Sequence, residues 1–145
     1  LLYERTNAIH PTITAVDFNP CFKDQLFFVH LNQKQDSQQA VVAFDNGVLT
    51  PQKMKIINGL TQSFLSNLRL MDFQELMTQH EAIIASLINT TPIQKRLFND
   101  YPGIIKSLGA WGGDFILACG AVDTPNYFAQ KGYNTCLTYQ TLIDN

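Results

Sequence analysis

An α+β domain is predicted, with a mostly antiparallel or mixed sheet covered by helices in a two-layer plan. Two observations predict it. Strand-like runs rich in β-branched and aromatic residues are interleaved with runs whose apolar residues recur every three or four positions. Thr-Pro pairs stand at the head of three helical runs, at Thr50-Pro51, Thr91-Pro92 and Thr124-Pro125, where the threonine caps and the proline suits the first helical position. The chain has 145 residues, 46% of them hydrophobic, enough to bury one core but not two, so residues 1–145 are read as a single domain.

Along the chain, Ile13, Ala15 and Phe18 form a first strand-like run and Gln25 to Leu31 a second. The polar residues Asn19, Pro20, Lys23 and Asp24 between them predict a hairpin. After the polar stretch Asn32 to Gln39 come Val41 to Phe44 and the turn pair Asn46-Gly47. From Thr50 the apolar positions Ile57, Leu60, Phe64, Leu68 and Met71 predict an amphipathic helix. Asp72 with Glu75 restarts the pattern as a capping box, and Phe73, Leu76, Met77, His80, Ile84 and Leu87 carry the next apolar face. Ile93, Leu97 and Phe98 fit a short third helix ending near Tyr101-Pro102, with Ile104 and Ile105 read as a turn toward Leu108. FILAC, from Phe115, has the length and flanks of a buried strand. A last short helix from Thr124-Pro125 stops at Gly132, and Thr135 to Tyr139 alternate as a final strand.

Composition narrows the function. The net charge is -2, and Lys and Arg are scattered rather than gathered into a stripe, which argues against nucleic-acid partners. No apolar run approaches the ~18 residues of a membrane span, and Leu1 to His10 is too polar for a signal peptide. Cys21, Cys119 and Cys136 are odd in number and lack metal-ligand spacing, so buried free thiols in a reducing cytoplasm are expected. His10 and His30 have no partner at metal-ligand spacing, and no Ser/His/Asp or Cys/His arrangement can be drawn. The start at Leu1, without an initiator Met, suggests a fragment.

Gly109-Ala110-Trp111-Gly112-Gly113-Asp114 is the most informative stretch. Three glycines in five residues forfeit conformational entropy unless the backbone needs φ > 0 or approaches something closely. That object is either an anion cradled by bare backbone N–H groups or merely a tight connection. The order is wrong for a Walker A loop, which ends in Gly-Lys-Ser/Thr before a helix, and for a dinucleotide fingerprint, which follows a strand and opens a helix.

Lys106-Ser107-Leu108-Gly109-Ala110-Trp111-Gly112-Gly113-Asp114 followed by FILA resembles the third conserved motif of the GHMP kinase superfamily, nearest to the mevalonate and phosphomevalonate kinases. HLNQKQDS, with Lys34 and Ser37, is similar to the strand-end segment of those enzymes that holds a Lys and a Ser/Thr. FQELMTQHEAIIASLINTTP, with His80, is similar to their helix bearing Met and His. Together the similarity spans about Asp17 to Leu137. Trp111 stands where the family usually has glycine, and Leu108 where it has a small or hydroxyl residue, which leaves the substrate open.

The resemblance implies a ferredoxin-like C-terminal domain whose glycine loop closes over a substrate and phosphate site formed with an N-terminal domain. Lys106, Ser107, Gly109, Ala110, Gly112, Gly113 and Asp114, with Lys34 and Ser37, are then the substrate- or phosphate-binding residues; no catalytic group and no metal ligand is assigned to this chain. ATP and Mg2+ belong to the complete enzyme, held by the Ser-rich glycine loop of the missing half, and this chain alone is expected to bind neither. From the residues alone the alternatives stay open. Lys106 is an anion donor or a solvated lysine near a helix end, Ser107 an anion donor or a backbone-bonded hydroxyl, and Asp114 a substrate orienter or a cap of neighbouring N–H groups. His80 is a hydrogen-bonded core histidine or a ligand. The rival reading is a non-catalytic ferredoxin-like module that binds a small ligand or forms a homodimer through its sheet; a degenerate kinase relative lies between the two.

Overall fold

The computed structural model of the chain describes residues 1–5, 10–33, 49–66, 68–109 and 114–143. In order the elements are β1 (Leu2–Glu4), β2 (Thr12–Thr14), β3 (Leu26–His30), α1 (Pro51–Phe64), α2 (Leu70–Leu87), α3 (Ile93–Leu97), β4 (Ile104–Ser107), β5 (Phe115–Cys119), α4 (Thr124–Gln130), β6 (Cys136–Thr138) and α5 (Tyr139–Ile143). β1 and β2 form a separate antiparallel ribbon. The main sheet runs β4-β5-β3-β6, antiparallel throughout. From β3 to β6 the elements run β3, α1 to α3, β4, β5, α4, β6, so helices separate the first strand from the second and the third from the fourth, and the sheet order places the first strand between the third and the fourth. That is the ferredoxin-like arrangement, and the α+β class expected from the sequence holds.

The strand alternation divides the apolar residues between the two faces of the sheet. Phe27, Val29, Ile105, Ile116 and Ala118 share one face, against Ile93 of α3, Phe98, Tyr101 and Phe128 of α4. Leu26, Phe28, Ile104, Leu117 and Cys119 share the other, against Phe73 and Met77 of α2 and Phe22 and Tyr139. Phe98 and Phe128 are fully buried and meet edge to face at 5.2 Å between ring centres. Each contributes about 1.5–3 kcal/mol by leaving water.

One of the three Thr-Pro pairs caps its helix as expected; α3 is instead preceded by Pro92 and α4 by Asp123, neither giving a side-chain cap bond, and Thr124 is the buried first residue of α4. Thr50 caps α1, its hydroxyl accepting the Lys53 N–H at 3.2 Å, and Pro51 occupies the first turn. α2 begins two residues before Asp72, which takes the third helical position; its carboxylate accepts the Arg69 N–H at 3.3 Å. Met71, expected on the apolar face, is 77% exposed because the chain breaks between the two helices and the stripe restarts at Phe73.

Other expectations are corrected. The strand-like run near Ile13 pairs with Leu2–Glu4, not with Leu26–His30, so the first hairpin is not the one read from sequence. Ile104 and Ile105 belong to β4 rather than to a turn. Both are packed because the strand has helices on each side, which hides any alternation of apolar with polar. Cys119 is buried and Cys136 half-buried, but Cys21 is exposed. No helix among the described residues is long and apolar enough to cross a membrane.

Gly120 follows β5 where Tyr101 crosses it to reach Thr124, hydroxyl to hydroxyl at 2.8 Å. A Cβ there would overlap the Tyr101 hydroxyl and stand 2.9 Å from Thr124 Oγ1. Gly59, inside α1, has open space at the same position. Gly120→Ala is therefore expected to cost about 1–3 kcal/mol by overpacking, whereas Gly59→Ala raises stability by about 0.5–1 kcal/mol. Urea unfolding of the two variants measures both, and shifts of the same sign would contradict the packing described.

Candidate functional site

The glycine-rich segment is the connection between β4 and β5, so its placement depends on how β4 is held. β4 is an edge strand: β5 flanks one side, and the N–H groups of Ile105 and Ser107 point away from the sheet. Two side chains meet them. Gln94 Oε1, from α3, accepts the Ile105 N–H at 2.8 Å, while its Nε2 donates to the Gly103 carbonyl at 2.9 Å. Glu81 Oε2, from α2, accepts the Ser107 N–H at 3.0 Å. The side chains thus take the place of a missing neighbour strand, and the edge is closed to further pairing.

Glu81 is 6% exposed. It occupies the buried stripe of α2 with Phe73, Met77 and Ile84, at spacings of four, four and three. Its Oε1 accepts from the Ser107 hydroxyl at 2.7 Å and from the Ile93 N–H at 3.3 Å, so three donors compensate the buried carboxylate. Lys106, on the opposite face of β4 from Ser107, donates from Nζ to the Ser107 carbonyl at 2.9 Å. Burial lowers its pKa, and the Glu81 charge works in the opposite sense. His80 is half-buried, packed edge-on to Phe64, with an Nδ1 that has no hydrogen-bond partner. Burial first, then the Lys106 charge, push its pKa down to about 4, with Glu81 acting the other way. Glu81, Lys106 and His80 thus lie near enough at the foot of the connection to act on one another's charge.

The structure brings Lys106 and Ser107 together at the end of β4 and leaves Gly109 just beyond. Ser107 sits on a strand rather than a turn, and both its N–H and its hydroxyl go to Glu81; Lys106 is likewise on a strand, not at a helix end. Leu108 N–H closes the hairpin on the Phe115 carbonyl at 3.1 Å. Gly109 has φ +61°, the left-handed conformation that glycine adopts without strain. Asp114 is exposed at the head of β5, its carbonyl accepting the Leu31 N–H at 2.8 Å. Ala110, Gly112 and Gly113, with Trp111, and also Lys34 and Ser37, lie outside the described residues. His80 stands on α2 as the pattern required, but not as a hydrogen-bonded core histidine at Nδ1. Glu81 was missed, although its signal was present: a charged residue on the apolar stripe, between Met77 and Ile84.

Among the described residues no group of three His, Cys, Asp or Glu side chains is placed to hold a metal ion. At the foot of the loop the Glu81 oxygens are engaged by three donors and the Lys106 ammonium by a carbonyl, so these groups do not form a ligand set for magnesium.

The depressed His80 pKa fixes a stability effect. In the unfolded chain this imidazole binds a proton near pH 6.5, in the folded chain only near pH 4. Between those values the unfolded state carries more protons, so stability falls as pH drops through that window. His80→Leu is expected to flatten that part of the profile, read as denaturation midpoints from pH 6.5 down to 4; identical slopes in both proteins would refute the assignment.

No protein-family model, curated protein or solved structure matches the chain.

Proposed function

We propose that this chain is the C-terminal half of an ATP-dependent small-molecule kinase of GHMP type, similar to mevalonate and phosphomevalonate kinases. It contributes the 106–114 segment to the substrate and phosphate site. The observation that carries the reading is the position of the motif: Lys-Ser-Leu-Gly leaves the edge strand of a ferredoxin-like sheet and re-enters at Asp114 into β5, an interior strand, with Gly109 left-handed.

In this reading the complete enzyme moves the γ-phosphoryl group of ATP onto a hydroxyl or phosphate oxygen of a small metabolite, breaking the bond to ADP. Catalysis comes from positioning and electrostatics rather than covalent chemistry. The N-terminal half holds ATP and Mg2+; this half supplies the substrate-side wall. Its backbone amides stabilise an anion, and the Lys106 charge sets a positive potential at the base of the loop. Substrate supply and ATP imply a cytoplasmic enzyme.

Dimerisation through the sheet, the rival reading, is disfavoured at β4, where Gln94 and Glu81 already occupy the outward N–H groups. At the other edge β6 offers three residues.

The test is phosphoryl transfer from ATP by the full-length protein across isoprenoid and sugar alcohols and their phosphates. Gly109→Val and Gly112→Val are expected to lower turnover by about 10²-fold or more through misplacement. Gly109→Val forces a β-branched residue into a left-handed conformation at a cost of about 1–2 kcal/mol, and the domain stays folded by circular dichroism. Absence of transfer to every acceptor would leave the non-catalytic module or the degenerate relative.

A further inference from the structure

The spacing of Phe73, Met77 and Ile84 on α2 calls for a hydrocarbon at position 81, and the chain has a glutamate there. A carboxylate in that place is destabilising unless donors meet it. Among the described residues the donors that do so sit at two points. Ser107, the last residue of β4, offers its N–H and its hydroxyl; Ile93, the first residue of α3, offers its N–H. This connection is not part of the backbone pairing of the sheet. Its effect is to tie the end of β4 to two helices at the residue before Leu108.

We infer that Glu81 is the positioning residue of the candidate site, acting through Ser107 to fix where Leu108 and Gly109 leave the sheet. The inference rests on the kinase reading only for its catalytic consequence. A carboxylate is specifically needed. Oε2 faces the Ser107 N–H and Oε1 the Ile93 N–H, so both atoms must accept; glutamine has one acceptor oxygen and one NH2 group, and sets that NH2 against a backbone N–H whichever way it is turned. Loss of the Ser107 hydroxyl is milder, because the backbone bond to Oε2 survives.

The experiment measures amide hydrogen exchange at Leu108, whose N–H is protected by the Phe115 carbonyl. It compares Glu81→Gln, Ser107→Ala and a control, Ile84→Val, which trims a buried methyl group one turn away on the same helix. Glu81→Gln is expected to speed exchange at Leu108 by about tenfold or more beyond the control, as a lost buried hydrogen bond implies. Ser107→Ala should do so by a smaller factor. Acceleration no greater than in Ile84→Val overturns the inference. If Glu81→Gln does not fold, Ser107→Ala against the same control decides in the same way. In the full-length protein, Glu81→Gln is expected to lower kcat with the KM for ATP unchanged; a wild-type kcat in the variant overturns the catalytic consequence. A wild-type protein that transfers no phosphoryl group defeats the kinase reading, while the exchange data still decide whether Glu81 positions the strand end.

Discussion

A carboxylate buried at the edge of the sheet, met by three donors from two other elements, is the constraint on which the arrangement around the glycine segment depends. Glu81 is not neutralised by a close ion pair among the described residues; hydrogen bonds from Ser107 and Ile93 hold it. Such an arrangement discriminates more than it stabilises. A fully met carboxylate gains little over a hydrocarbon of similar size, but any displacement that strips one donor leaves a charge uncompensated in the interior. The geometry of β4, α2 and α3 is therefore narrow: they fit together in the one register that satisfies Glu81, and other registers are strongly disfavoured.

The two faces of the sheet share the remaining work unequally. On the face of Phe27, Val29 and Ile116, the rings of Phe98, Tyr101 and Tyr127 each pack on Phe128 with centres 5.1–5.4 Å away, and Tyr101 meets Tyr127 at 4.9 Å. Tyr101 reaches Thr124 only because Gly120 has no side chain. That contact joins the segment before β4 to the start of α4. It thereby fixes the chain on the N-terminal side of β4, as Glu81 fixes its end. On the opposite face Phe22, Phe73 and Tyr139 close over Leu26 and Cys119, and the Tyr139 hydroxyl donates to the Phe18 carbonyl. Burial pushes the Cys119 thiol up to about 11, so this cysteine is an apolar filler and not a nucleophile.

Much of this was legible in the residues, and the exceptions share one cause. α1 was readable because Thr50, Pro51 and the Ile57–Leu60–Phe64 stripe are local signals; β5 was readable because an interior strand is apolar throughout. β4 was not, since Ile104 and Ile105 are adjacent, face opposite packed layers and are followed by the polar pair Lys106-Ser107. The pairing of β1 with β2 was hidden for a related reason. Strand partnership is a long-range choice, and Leu2–Glu4 carries no local mark of preferring Thr12–Thr14. At the candidate site the glycine cluster announced itself, yet Glu81, which bonds the strand end leading into it, lies 26 positions before Ser107. A single charged residue in an apolar stripe was its only trace. Sequence spacing revealed that Glu81 was out of place, but not which donors would justify it.

An edge strand ordinarily makes a poor platform for a binding loop, because one of its flanks lacks partners and its end is free to fray. Here Gln94 and Glu81 restore that flank up to Ser107, and Leu108 adds a last bond across to Phe115. The left-handed Gly109 comes next. A foot held by buried groups suits any segment that must meet a ligand with its backbone. Lys106 sharpens the point. Its ammonium is turned to the Ser107 carbonyl and desolvated by burial, so its charge is held at the strand end rather than on a freely swinging side chain. In the proposed kinase reading, a charge fixed in this way favours an anion at the strand end without depending on the conformation of a long exposed side chain.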